Sequence, residues 1–134
     1  MAVTLTIHSE KRVQFINITE RIQKVVRNKN VNEGICVAYV PHTTAGITIN
    51  ESADPAVPAD IISKLEQLVP LQGNYKHAEG NSDAHIKTLL TGNSVTIPII
   101  NGRLALGTWQ RIYFAEFDGA RTRKVIVTHL NRNN

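Results

Sequence analysis

Val95-Thr96-Ile97-Pro98-Ile99-Ile100-Asn101-Gly102-Arg103-Leu104-Ala105-Leu106 decides the fold class. A short apolar run ends in Asn101-Gly102, and a second short run leads away from it. Asn and Gly tolerate positive φ at both central positions of a type I′ turn, so the stretch reads as an antiparallel hairpin. Downstream, Gln110 to Phe117 and Val125 to Leu130 read as two more strands joined at Asp118-Gly119. Upstream, Val3 to His8 and Gly46 to Asn50 alternate apolar and polar residues, as half-buried strands do, and Val13 to Ile18 reads as another strand. Ile35-Cys36-Val37-Ala38-Tyr39-Val40 is almost continuously apolar and is expected to be buried on both faces, ending at Pro41.

Three helices interrupt the strands. Thr19 is placed to cap a helix over Glu20 to Asn28, with Ile22, Val25 and Val26 on one face. Pro55 and Pro58 mark the start of a second, with Ile61, Ile62, Leu65 and Leu68 at helical spacing. Ser82 or Asn81 caps a third, from Asp83 to Leu90, closed by Gly92. The expectation is an α+β fold: a mixed or antiparallel, β-sandwich-like sheet core of about eight strands with about three helices. A sheet this large with so few helices needs cover from a second sheet or a second copy.

The 134 residues form one expected domain, 1–134, with 42% hydrophobic and 19% charged residues, an ordinary globular balance. No apolar run approaches the roughly 18–20 residues of a membrane span. The N-terminus lacks a secretory apolar stretch, and one cysteine, Cys36, excludes an internal disulfide. A cytoplasmic location is expected. Cys36 reads as a small buried hydrophobe rather than a nucleophile. The net charge is +4, with acids concentrated over residues 51–85 and bases after His85. No basic helix, nucleic-acid motif, phosphate loop or dinucleotide fingerprint accompanies that charge, so neither nucleic acid nor membrane is an expected partner.

The histidines are the chemical signal. His42 lies in Pro41-His42-Thr43-Thr44-Ala45-Gly46, and His77 and His85 bracket His77-Ala78-Glu79-Gly80-Asn81-Ser82-Asp83-Ala84-His85. Three imidazoles with an open fourth position would suit a catalytic metal, although the spacing between His77 and His85 matches no metal motif. Three polar loop histidines are the plain alternative. Glu51 and Asp83 are the candidate acid–base groups. Asp54 is a helix cap, and Asp83 is equally at home beside a helix dipole. Asn81 and Ser82, at a helix start, are candidate substrate donors. Arg103 can pair with an anion, and Trp109 can stack on a ring or pack in the core.

Those blocks, together with Gly102-Arg103-Leu104-Ala105-Leu106-Gly107-Thr108-Trp109-Gln110 and Glu116-Phe117-Asp118-Gly119, resemble the YjbQ family over nearly the whole chain. The resemblance implies a compact α+β sandwich assembled as a homotrimer, and a weak, secondary thiamine-phosphate synthase activity whose native role is open. It places a metal site at a subunit boundary. Carried onto this chain, it implies His42, His77 and His85 as ligands, with Glu51 and Asp83 as neighbours. The expected partner is a small phosphorylated substrate. The expected cofactor is a divalent ion, zinc-like at histidines or magnesium carried with phosphate. Three readings stay open: a weak thiamine-phosphate synthase, a metal-dependent hydrolase of a small phosphorylated or heterocyclic metabolite, and a metabolite-binding protein without catalysis.

Overall fold

The computed structural model describes residues 2–132. Eight strands and three helices follow in the order β1 (Val3–His8), β2 (Gln14–Asn17), α1 (Thr19–Asn28), β3 (Gly34–Tyr39), β4 (Ala45–Glu51), α2 (Ala56–Leu68), α3 (Ser82–Thr91), β5 (Ser94–Ile100), β6 (Arg103–Leu104), β7 (Gln110–Glu116) and β8 (Thr122–Asn131). The strands form two antiparallel sheets, one ordered β1-β8-β3-β5-β6 and the other β2-β7-β4. This is the expected α+β architecture.

The two sheets and α1 enclose the main core. Ile22 and Val26 of α1 meet Cys36 and Ala38 of β3, Ile47 of β4, Ile112 and Phe114 of β7, and Val125 and Val127 of β8. The hairpin forms where the sequence places it, with Asn101 at φ 52° and Gly102 at φ 76°. The Gln23 side chain locks it to α1, donating to the Gly102 carbonyl at 3.1 Å and accepting from the Leu104 amide at 3.0 Å.

The doubly buried strand is not the expected one. Cys36 and Ala38 are buried, but Ile35 is 42% and Tyr39 43% exposed, so only one face of β3 enters the core. Among the described residues nothing covers the outside of the larger sheet, where Ile35, Tyr39 and Leu130 are exposed. In β7 every residue from Ile112 to Glu116 is buried. Ile112 and Phe114 face the main core, while Ala115 joins Phe117 and Ala84 in a second cluster packed by Val13, Phe15 and Leu65. That second cluster lies where α2 and α3 cover the smaller sheet.

Capping differs in detail. Thr19 is the first residue of α1, not its cap, and its Oγ1 accepts the Ile112 amide at 2.8 Å. The Asn17 side chain takes over, accepting from the Thr19 amide at 3.1 Å. Pro55 holds the cap position of α2, and Asp54, one residue before it, accepts the Ala56 amide at 2.9 Å. Asn81 occupies the cap position of α3, yet its side chain turns away to Asp118. No helix among the described residues is long and apolar enough to cross a membrane.

Candidate functional site

Two short connections and one helix start converge at one end of the smaller sheet. Pro41 ends β3 and throws His42, Thr43 and Thr44 into the link to β4. Gly46 then lets β4 run close to the end of α3, where an added Cβ would lie 2.4 Å from the Gly92 carbonyl oxygen. The Asp118-Gly119 turn joins β7 to β8 in the other sheet. With Glu79, Asn81 and His85, these segments line a polar hollow of about 370 Å³ that also receives Arg121 and Arg123.

Its back wall is a buried ion pair. Arg123 Nε donates to Glu116 Oε1 at 2.9 Å, and one of its terminal nitrogens donates to Oε2 at 2.5 Å and to Thr44 Oγ1 at 2.8 Å. Ser9 and the Asp118 amide supply two further bonds to the carboxylate. Burial alone would push the Glu116 carboxyl up. The hydrogen bonds from Arg123, Ser9 and Asp118 outweigh it and hold the group below the ordinary carboxylate range.

His42 sits against this wall. Its Nε2 accepts the Lys124 amide at 2.9 Å. A neutral ring that accepts at Nε2 carries its proton on Nδ1, so His42 offers the hollow a donor. Burial, followed by the positive charge of Arg123, lowers its pKa and keeps the ring neutral. His85 reaches the same hollow from the first half of α3. It also lines an adjoining, less polar hollow of about 460 Å³ with Tyr75, His77, Ser82 and Ile86. The His77 and His85 rings meet edge to face with centroids 5.4 Å apart. His77 Nε2 lies 3.8 Å from Glu79 Oε2. Asn81 donates to Asp118 at 2.9 Å, and its Oδ1 is buried with no hydrogen-bond partner among the described residues, an acceptor that a bound donor would satisfy.

The expected three-histidine ligand set does not assemble within one chain. His77 pairs with His85, and His42 lines only the farther side of His85 with its Nε2 lone pair already in use. No group of three metal-ligating side chains occurs among the described residues. The residues of a single chain thus do not fit the metal centre that the resemblance implies.

The carboxylates go elsewhere. Asp83, in the first turn of α3, is fully buried and takes two bonds from Arg12, at 2.9 and 3.2 Å, and one from Lys87 at 3.1 Å. Lys87, also fully buried, reaches Glu66 of α2 at 2.6 Å. This cluster fastens α3 to α2 and to the segment before β2, and it occupies the Asp83 carboxylate completely. Glu51 ends β4, paired with Gln110 at the start of β7, whereas His42 precedes the other end of β4. Seven strand residues at about 3.3 Å each separate the two by roughly 20 Å. Arg103 lines a different hollow, with Arg27 and Arg111, at the Glu51 end of the sheet. Trp109 lies on that side too and is 64% exposed, so it is not a core residue.

Sequence reading missed Thr44, Asp118, Arg121, Arg123 and the buried Glu116. The alternating pattern of β8 assigns Arg123 to the buried face with Val125 and Val127, and that was the available signal.

A family model described as "UPF0047 protein YjbQ-like" matches residues 3–132. A UPF0047 protein from Methanocaldococcus jannaschii is 54% identical over 121 residues, covering 90% of this chain and 88% of that one. The UPF0047 protein YugU of Bacillus subtilis is 45% identical, covering 92% and 94%. Among solved structures, an uncharacterised conserved YjbQ/UPF0047 protein from Clostridium acetobutylicum superposes with TM-score 0.94 at 52% identity, covering 96% and 99%. A protein of unknown function from Sulfolobus solfataricus also gives 0.94, at 27% identity, covering 98% and 97%.

Proposed function

The chain belongs to the YjbQ-like UPF0047 family, and from that premise we propose that it is a small enzyme acting on a phosphorylated small molecule held in the hollow between His42 and His85. The observation that carries the reading is the convergence there of three stretches distant in sequence, 41–44, 79–85 and 118–123, which bring two imidazoles and two guanidiniums together. His42 donates through Nδ1 and stays neutral, while Arg121, half exposed and tied to Asp118 through Nε at 2.9 Å and one terminal nitrogen at 3.1 Å, presents its other terminal nitrogen to an anionic group. His85 stands opposite and is the candidate for proton transfer to or from the substrate. The less polar hollow beyond it, with Tyr75 and Ile86, would take the organic part of the molecule.

Acid–base hydrolysis is the chemistry this set performs most directly. Thiamine-phosphate synthesis enters as a low-level side activity, without help from Arg103 or Trp109 of the same chain. A divalent ion is a separate proposal: a zinc-like ion would need ligands from a second copy beside His77 and His85, magnesium would arrive with the phosphate, and no step is routed through either. Elemental analysis of untagged protein, with His77→Ala beside it, tests that part. A homotrimer is likewise proposed, supported by the uncovered apolar face with Ile35, Tyr39, Ile100 and Leu130 exposed. Equilibrium sedimentation tests it.

For the function, a panel of phosphate esters and the two thiamine precursors would be incubated with the protein and with His85→Ala. Turnover of a phosphorylated compound, reduced at least tenfold in the variant, supports the proposal. Turnover that is equal in both removes His85. Saturable binding without turnover converts the site to a metabolite-binding one.

A further inference from the structure

At the far end of β7 from the histidines lies a larger hollow, about 680 Å³, between α1, the β5–β6 hairpin and the start of β7. We propose that it is a second small-molecule site, and that its ligand carries a diphosphate group. Three elements each contribute one arginine: Arg27 from the last turn of α1, Arg103 from β6 and Arg111 from β7. Glu20 is the one carboxylate on the lining, which leaves an excess of two positive charges.

The guanidiniums are available. Neither Arg27 nor Arg103 has a side-chain hydrogen bond or ion pair among the described residues. Arg111 uses one terminal nitrogen on the carbonyls of Thr108, at 3.3 Å, and Gln110, at 2.6 Å, which fixes the group and leaves its other nitrogens free. Three like charges around one concavity repel one another, and a bound multivalent anion relieves that repulsion. The planar fork of each guanidinium matches phosphate oxygens, and three forks around one volume match two linked phosphates better than one.

The floor is rigid and already satisfied. Gln23 spends its amide on Gly102 and Leu104, and Thr19 spends its hydroxyl on Asn17 and the Ile112 amide. The three arginines, with the Asn101 side chain and the Thr108 hydroxyl, are therefore the groups left to bind. Nothing on this lining is shared with the histidine hollow, from which about seven strand residues, or roughly 20 Å, separate it. The two sites are independent.

Isothermal titration of the full chain with inorganic pyrophosphate, and in parallel with adenosine diphosphate, tests the proposal. Binding of either probe should weaken at least tenfold in Arg103→Ala and in Arg27→Ala, and should be unchanged in His85→Ala. The Gly102 and Gly107 amide resonances should shift on addition of the probe. Circular dichroism and melting of the two arginine variants should match the parent, since both side chains are exposed. Absence of binding at millimolar probe overturns the proposal. So does equal affinity in the parent and both arginine variants, or loss of binding in His85→Ala alone.

Discussion

Arg123 and Glu116 form a two-point ion pair, at 2.9 and 2.5 Å, that joins the larger sheet to the smaller one behind the histidine hollow. Both side chains are almost entirely buried, so each charge depends on the other for the solvation that water no longer supplies. Removing one partner strands the other. Arg123→Ala should lower unfolding free energy by about 3–5 kcal/mol, read from urea titrations. A loss under 1 kcal/mol would show that water reaches the pair and that the wall is not rigid.

Asp83 has the same logic and a different location. Asp83→Asn removes the charge that Arg12 and Lys87 share, and fully buried Lys87 keeps only Glu66. The expected loss is again about 3–5 kcal/mol, with probe binding at either hollow retained by the folded fraction. His85→Ala, which breaks no side-chain hydrogen bond among the described residues, should cost less than about 1 kcal/mol. Equal losses in the two would contradict a purely structural Asp83.

Acid sensitivity follows from three groups. Burial opposes ionisation of Glu116 and Asp83, yet their arginine and lysine partners outweigh it and both carboxyls lie below their ordinary values. The fold thus binds fewer protons than the unfolded chain, and the stability these groups lend is complete above about pH 4.5 and lost as pH falls further. His42, depressed mainly by burial, acts in the same direction from about pH 6.5 downward. Melting temperature should be flat near neutrality, fall gently below pH 6.5 and fall steeply in the carboxylate range. In His42→Gln the gentle limb should shrink. A profile that rises on acidification would contradict these assignments.

The tautomer of His42 is directly observable. Acceptance of the Lys124 amide by Nε2 requires the proton on Nδ1. Long-range nitrogen–proton correlation spectra at pH 7 should show an unprotonated Nε2 and a protonated Nδ1. The reverse pattern would remove His42 as a donor to the hollow.

Cys36 provides a probe of the core. Burial raises its thiol pKa to about 11, so the folded protein keeps it protonated and out of reach of reagents. Modification by a disulfide reagent at pH 8 should proceed only as fast as unfolding, and at once in concentrated urea. Rapid reaction of the native protein would mean that β3 opens locally.

Local chemistry made much of this protein legible in its sequence. Asn101-Gly102 dictates a hairpin whatever surrounds it, because few residue pairs accept two positive φ values. Alternation in Val3–His8 and the 3.6-residue spacing of Ile22, Val25 and Val26 set elements and faces in the same way. The His42 and His77–His85 blocks stood out because imidazoles and turn residues cluster there. Tertiary structure decided what an apolar run or a carboxylate was for. β3 and β7 are both apolar, and only the position of α2 and α3 over the smaller sheet made β7 the doubly buried one. Glu51 and His42 are nine residues apart, but an intervening strand is a rigid spacer that sends them to opposite ends of the sheet. Asp83 was close to His85 in sequence and was claimed by Arg12, 71 positions away, because a buried charge must find its counterion wherever the fold supplies one.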